Sequence, residues 1–288
     1  MADLKNTVIA DTGYIRLPSG TTAQRPTNPP NGATRFNTDL GYTECYYLGF
    51  WFDLETGRGL PRAWGNRYIH LDASVPESSD GSTAFGWKSL APVANRNYDF
   101  VGSPTYTAST TQQAFWKFDG NQMAQCENVC NDLEYNSIEC IFRKFSNSPE
   151  DILYNKENTW ETNTDNNTFQ WAWQTTDRSW FWSNTGNITV NEWYHSMVTY
   201  DGNRVRTYIN GRLRQEDTAN YENGKLIQTH VSYPKINSRG ADRNQFTNTG
   251  HHDVALFVIY DRPLDDYEVY HNYMCSAQRF GIGGEPYN

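Results

Sequence analysis

Four tryptophans crowd into the stretch FQWAWQTTDRSWFWSN: Trp171, Trp173, Trp180 and Trp182. Indoles are large, flat and mostly apolar, so a row of them can fill a core or lie under sugar rings. With Thr176-Asp177 as a two-residue turn, Trp173 faces Trp180 and Trp171 faces Trp182, and all four rings share one side of the hairpin. The other side carries Gln170, Ala172, Gln174, Ser179, Phe181 and Ser183. Because that reverse side is mostly polar, the indole side is expected to face inward, while rings near a sandwich edge could also hold a glycan.

Carboxylates offer a second chemistry. Retaining glycoside hydrolysis needs two carboxyl groups about 5–5.5 Å apart. Glu134 and Glu139 of EYNSIE fall on opposite faces of a regular strand, and only a bulge would bring them together. No catalytic residue is therefore assigned. The six histidines are His70, His195, His230, His251, His252 and His271. Neighbouring His251 and His252 point to opposite faces of a strand and cannot share a metal, and His195, inside an aromatic run, reads as a packed histidine. Cys45, Cys126, Cys130, Cys140 and Cys275 read as plain thiols of a reducing compartment, since the Cys126/Cys130 pair lacks the second ligand pair of a zinc site. No nucleophile-elbow, phosphate-loop, dinucleotide or metalloprotease motif is present.

The elements that position these residues are mostly strands. The 288-residue chain has a net charge of −9 and is 15% aromatic. That balance disfavours nucleic acid and anionic membranes as partners, and the aromatic content disfavours disorder. The start, MADLKNTVIADTG, has no apolar stretch of signal-peptide length, and the apolar run at 254–260 is too short for a bilayer. The expectation is a chain made soluble in a cytosol. Short strands are expected at 68–71, 98–101, 114–118, 137–142, 152–154, 168–173, 179–182, 193–200, 205–209, 231–236 and 254–260, which together read as an antiparallel sandwich. One helix follows, with Asp265 and Glu268 as a capping box and Val269, Tyr273 and Ala277 on one face. It is expected to cover an open end of the sandwich.

Residues 1–62 differ in kind from the rest. Pro26, Pro29 and Pro30 forbid helix there, and ATRFNT and YTECYYLG alternate around Asp39-Leu40-Gly41 as a hairpin. Two strands cannot be stable alone. Phe36, Tyr46, Tyr47, Phe50 and Trp51, with open strand edges near 35–37 and 42–47, are expected to form an assembly surface. The division is thus an arm, 1–62, and a sandwich, 63–288.

Several stretches resemble known families. NEWYHSMVTYDGNRVRTYINGRL resembles the central hairpin of laminin G-like, concanavalin A-like lectin/glucanase domains. YIHLDAS, FWKFDGNQM and DVALFVIYDRPLDDYEVYHNY resemble the opening and closing segments of such domains, so the resemblance spans about residues 64–281. It implies an all-β jelly-roll sandwich and a structural calcium with Asp253 as a ligand. EYNSIE resembles a hydrolase signature found on this fold, with Asn136 in place of the middle aspartate. GYIRLPSGTTAQRPTNPPNGATRFNT followed by YTECYYLGFW is similar to a module of tail-fibre and other virion proteins of tailed bacteriophages. That resemblance implies a virion structural protein, in a head, neck or tail appendage or as capsid decoration, assembled in the bacterial cytoplasm. Its partners would be other virion proteins and copies of itself, three-fold as the first expectation. A host-glycan adhesin for host attachment is the alternative, and a glycan hydrolase the third reading. No nucleic acid and no membrane insertion are expected.

Overall fold

The computed structural model describes residues 13–47, 50–54, 66–92, 96–109, 113–127, 129–131, 133–147, 151–174, 180–217 and 231–283. The chain divides into two compact units, Met1–Arg58 and Gly59–Asn288.

The first unit holds a four-stranded sheet in the order Ser19–Gly20, Thr34–Asn37, Tyr42–Tyr47, Phe50–Asp53. The expected hairpin is its centre, and Gly41 closes the turn at φ +73°. The edges expected to lie open at 35–37 and 42–47 are paired instead. Ser19–Gly20 runs parallel to one strand and Phe50–Asp53 antiparallel to the other, and these two form the edges. The interior is ionic. Glu44 is fully buried and accepts from Arg25 Nη2 at 2.6 Å and Asn37 Nδ2 at 3.0 Å, with Arg35 Nε at 3.5 Å. A buried carboxylate is stable only when paired in this way. Gly20 leaves room for two side-chain ends, since a Cβ there would lie 2.7 Å from both Arg35 Nη2 and Gln24 Oε1 and they would have to shift. The Gln24 side chain in turn accepts from the Thr21 N–H at 2.9 Å. The distinctive TTAQR run thus uses these side chains to fold its own unit.

The second unit is two packed antiparallel sheets. One has eight strands: Arg212–Asp217, Val205–Ile209, Trp193–Tyr200, Asn136–Lys144 and His251–Tyr260 side by side, then, along the second edge of the last strand, Phe115–Asp119 followed by Thr105–Thr107 against its first half and Arg67–Asp72 against its second half. The other has seven, in the order Trp180–Asn187, Thr168–Gln174, Trp160–Asn163, Ile152–Lys156, Lys235–Ile236, Met123–Cys126, Tyr98–Val101. Between them lies an aromatic core that includes Trp116, Phe142, Trp160, Trp171, Trp173 and Phe257.

The helix Asp266–Phe280 carries the expected capping box, with Glu268 N–H donating to Asp265 Oδ1 at 2.8 Å. Its position differs from expectation. It lies on the outer face of the eight-stranded sheet, where Val269, Tyr273 and Phe280 pack with Ile141, Met197 and Val258. The reason is in the strands: DVALFVIY is apolar on both faces, so both need covering. At the far end of the same sheet, Asn210 and Gly211 sit at φ +52° and +72° and close the hairpin between Ile209 and Arg212. A Cβ on Gly211 would come within 2.5 Å of Tyr273 Cδ1, so this turn is docked scaffold.

Candidate binding face

The tryptophan hairpin has a different register from the two-residue-turn reading. Trp182 pairs with Ala172, Phe181 with Trp173 and Ser183 with Trp171. The expected turn at Thr176-Asp177 lies outside the described residues. A shift of one residue reverses which side chains share a face. Trp171 and Trp173 are therefore buried in the core, 6.2 Å apart by ring centroids, as expected. Trp180 and Trp182 face outward instead, with centroids 6.3 Å apart and planes 31° apart, and Trp182 is 51% exposed. The four indoles do not form one cluster.

The outward pair ends a row that crosses the whole seven-stranded sheet. Directly opposed residues run Trp182, Ala172, Glu161, Asn155, Lys235, Gln125, Asp99. Most of the row is already committed. Arg239 binds the Glu161 carboxylate with Nε at 2.6 Å, and Asn155 Nδ2 donates to the same group at 2.9 Å. Lys235 Nζ donates to the carbonyls of Asp242 and Gln245 at 2.8 and 2.9 Å. Burial pushes its pKa down to about 8, against the pull of Glu157 and Asp242. Asn244 exchanges hydrogen bonds with the Gln125 amide, and Arg243 pairs with Asp99 and Glu127. The segment 239–245 thus covers the charged part of the row. The indole end has amide neighbours instead: Gln174 opposite Trp180, and Gln170 opposite Asn184. The row depends on strands Trp160–Asn163 and Met123–Cys126, which were not among the expected strands although turns at Asn158 and Gly120, both at positive φ, precede them.

The other sequence candidates lie elsewhere. Glu139 is buried on the outer face of the eight-stranded sheet, under the helix. Its carboxylate accepts from Tyr260 Oη at 2.6 Å and Asn272 Nδ2 at 3.2 Å, and His195 Nε2 lies 3.0 Å away. Burial, reinforced by Glu139, raises the Tyr260 pKa. Glu134 is exposed, so the two carboxylates do not face one site. His252 is buried between Asn237 Oδ1, 3.1 Å from Nδ1, and Thr164 Oγ1, 2.8 Å from Nε2. The Asn237 oxygen can only accept, so Nδ1 carries the ring proton. Burial, then Lys144 and His251, pushes the His252 pKa down. His251 Nδ1 meets Asp151 Oδ1 at 3.0 Å, so the adjacent histidines do diverge. His230 lies outside the described residues.

Asp253 pairs across the strands with Arg143, which donates to Oδ2 from Nε at 2.8 Å and Nη2 at 2.6 Å. That guanidinium sits 5.2 Å from the Phe115 ring centroid and 5.0 Å from that of Trp193. Among the described residues no cluster of three His, Cys, Asp or Glu side chains could hold a metal. Arg143 thus occupies one carboxylate oxygen of Asp253, while Oδ1 is buried without a hydrogen-bond partner.

Of the arm aromatics, Phe36 is 39% and Tyr47 40% exposed. Tyr46 and Trp51 are cross-strand partners with ring centroids 5.4 Å apart. Phe50 begins the last strand of that sheet.

Residues 135–270 match the family model described as the concanavalin A-like lectin/glucanases superfamily. The sandwich has the concanavalin A-like fold. Solved structures agree at low identity. The binding domain of Paraclostridial Mosquitocidal Protein 1 superposes with a TM-score of 0.59 at 14% identity, covering 76% of this chain and 56% of that one. The botulinum neurotoxin serotype D ligand binding domain in complex with N-acetylneuraminic acid gives 0.54 at 14%, covering 73% and 51%. The botulinum neurotoxin DC binding domain in complex with rat synaptotagmin II gives 0.54 at 14%, covering 74% and 52%. The chain thus spans little more than half the length of these structures, and the likeness is one of fold. No curated protein matches it. Among the described residues no helix is long and apolar enough to cross a membrane.

Proposed function

We propose that the sandwich is a glycan-binding adhesin module, carried on a bacteriophage virion appendage by the N-terminal sheet. The observation that carries the binding reading is the outward indole pair, Trp180 and Trp182, at the end of the face that segment 239–245 leaves uncovered. Its support is chemical: two neighbouring indoles on one outward face, unlike a single exposed ring, make an apolar patch with polar tips of the kind that meets a ligand or partner. The comparison structures lend support of a coarser kind, being binding domains on the same fold. A glycan array probed with the full chain tests the reading, and absence of binding to every glycan would refute it.

The virion half of the proposal rests on the arm. It has its own polar interior and carries Phe36 and Tyr47 partly in water, aromatics of the kind that anchor interfaces. Self-association there, three-fold in the first instance, is the expected assembly. The proposal assigns no hydrolysis, because Glu139 is held beneath the helix while Glu134 is at the surface. Release of reducing sugar from a bound glycan, abolished by Glu134→Gln, would overturn that part.

A further inference from the structure

The adhesin reading leaves open where a glycan lies and of what kind it is. We infer that Trp180 and Trp182 are the floor of a subsite for neutral oligosaccharides, spanning two adjacent pyranose rings. This inference rests on the adhesin reading and narrows it.

Three observations lead there. First, the register gives Trp182 an alanine as its cross-strand neighbour, and a methyl group cannot cover an indole. With Trp182 51% exposed and the planes of the two rings 31° apart, the pair forms two adjoining tiles tilted to one another. A pyranose whose hydroxyls are equatorial has two faces of C–H bonds. It stacks on such a tile through dispersion and loss of apolar surface from water. Second, the side chains around the tiles are amides. Gln170 and Asn184 share the outward face with the two indoles, while Gln174, opposite Trp180, is buried. An amide both donates and accepts, as a sugar hydroxyl does, so these groups can fix a ring's orientation without selecting for charge.

Third, among the described residues the cations along the row across this face are spent. Arg239 is bound by Glu161, Arg243 by Asp99 and Glu127, and the Lys235 ammonium by two backbone carbonyls. An anionic sugar would have to take a cation from one of these partners, on a chain whose net charge is −9. A neutral sugar meets neither cost.

The test is a titration of the full chain, followed by isothermal calorimetry, with two sets of probes. The neutral probes are hexamers of β1,4-linked glucose and of β1,4-linked N-acetylglucosamine. The anionic probe is an oligogalacturonate of the same length. Trp182→Ala and Asn184→Ala are run beside the parent, with Tyr267→Ala, an exposed aromatic on the helix, as the control. The inference expects a neutral hexamer to bind with an affinity that hardly changes between low and high salt. Trp182→Ala should lower that affinity at least tenfold, Asn184→Ala a few-fold, and Tyr267→Ala not at all. Each variant's melting curve shows whether it is folded. Neutral binding that survives in folded Trp182→Ala would overturn the site and leave the adhesin reading standing. Preferential, salt-sensitive binding of the oligogalacturonate would overturn the ligand class. If no probe binds here and no glycan binds on an array, this inference and the adhesin reading both fall.

Discussion

Two tryptophans of one hairpin, replaced in the same way, should lose very different amounts of stability. Trp173 is 1% exposed and pairs across the strands with Phe181, whereas Trp182 is 51% exposed opposite Ala172. A buried tryptophan removes about 150–250 Å² from water. At about 25 cal/mol per Å² this is about 4–6 kcal/mol, and large-to-small core changes cost about 3–5 kcal/mol. Trp173→Ala should therefore cost about 4 kcal/mol. Trp182 keeps roughly half its surface in water, and an unfolded chain already buries some of the rest, so Trp182→Ala should cost about 1–2 kcal/mol. Urea unfolding followed by far-ultraviolet circular dichroism separates the two. With a slope of about 3 kcal/mol/M, the Trp173 variant should shift its midpoint by roughly 1.3 M and the Trp182 variant by less than half of that. Equal shifts, or the larger shift for Trp182, would refute the register and the outward face with it.

Glu139→Ala should destabilise by about 3 kcal/mol, because Tyr260, Asn272 and His195 would lose their shared acceptor in a buried site, and glycan binding should be unaffected. A surface-like cost below about 0.5 kcal/mol would refute that network. The lowered pKa of buried His252 makes stability pH-dependent. The unfolded ring binds a proton below about pH 6.5 and the folded ring does not. Stability should hold above that pH and fall as pH drops below it, and His252→Gln should flatten the decline measured by urea midpoints from pH 7 to 5. Because Asp253 is bound by Arg143, the melting temperature should be the same in calcium and in EGTA, and a rise in calcium would restore the calcium site. Light scattering should give an oligomer for the full chain and a smaller species for Phe36→Ala with Tyr47→Ala. An unchanged size would remove assembly from the arm.

The sandwich was legible because its signals are local. Asn210-Gly211 can adopt two left-handed residues in succession, and Asp265 and Glu268 cap a helix by themselves. What failed depends on a distance the sequence does not state. The tryptophan hairpin was read with a two-residue turn, whereas residues 175–179 separate its strands, and that difference turns Trp180 and Trp182 from core to surface. The capping signals of the helix say nothing of where it docks; the both-sided apolarity of 254–260 is what demands a cover on the second face. The Arg143 partner of Asp253 is likewise hidden in the sequence, being 110 residues away. The buried charges Glu44, Glu161 and Lys235 were missed for the same reason, since each is made tolerable by partners brought in by the fold.

The most direct test of the outward indole face is hydroxyl-radical footprinting of the full chain, read by mass spectrometry, with and without a saturating neutral oligosaccharide. Without ligand, Trp182 should oxidise readily and Trp171 and Trp173 scarcely at all. With ligand, oxidation of Trp180 and Trp182 should fall while exposed Tyr267 stays unchanged. A Trp182 already protected without ligand, or one whose oxidation is unchanged when glycan is bound, would contradict the account.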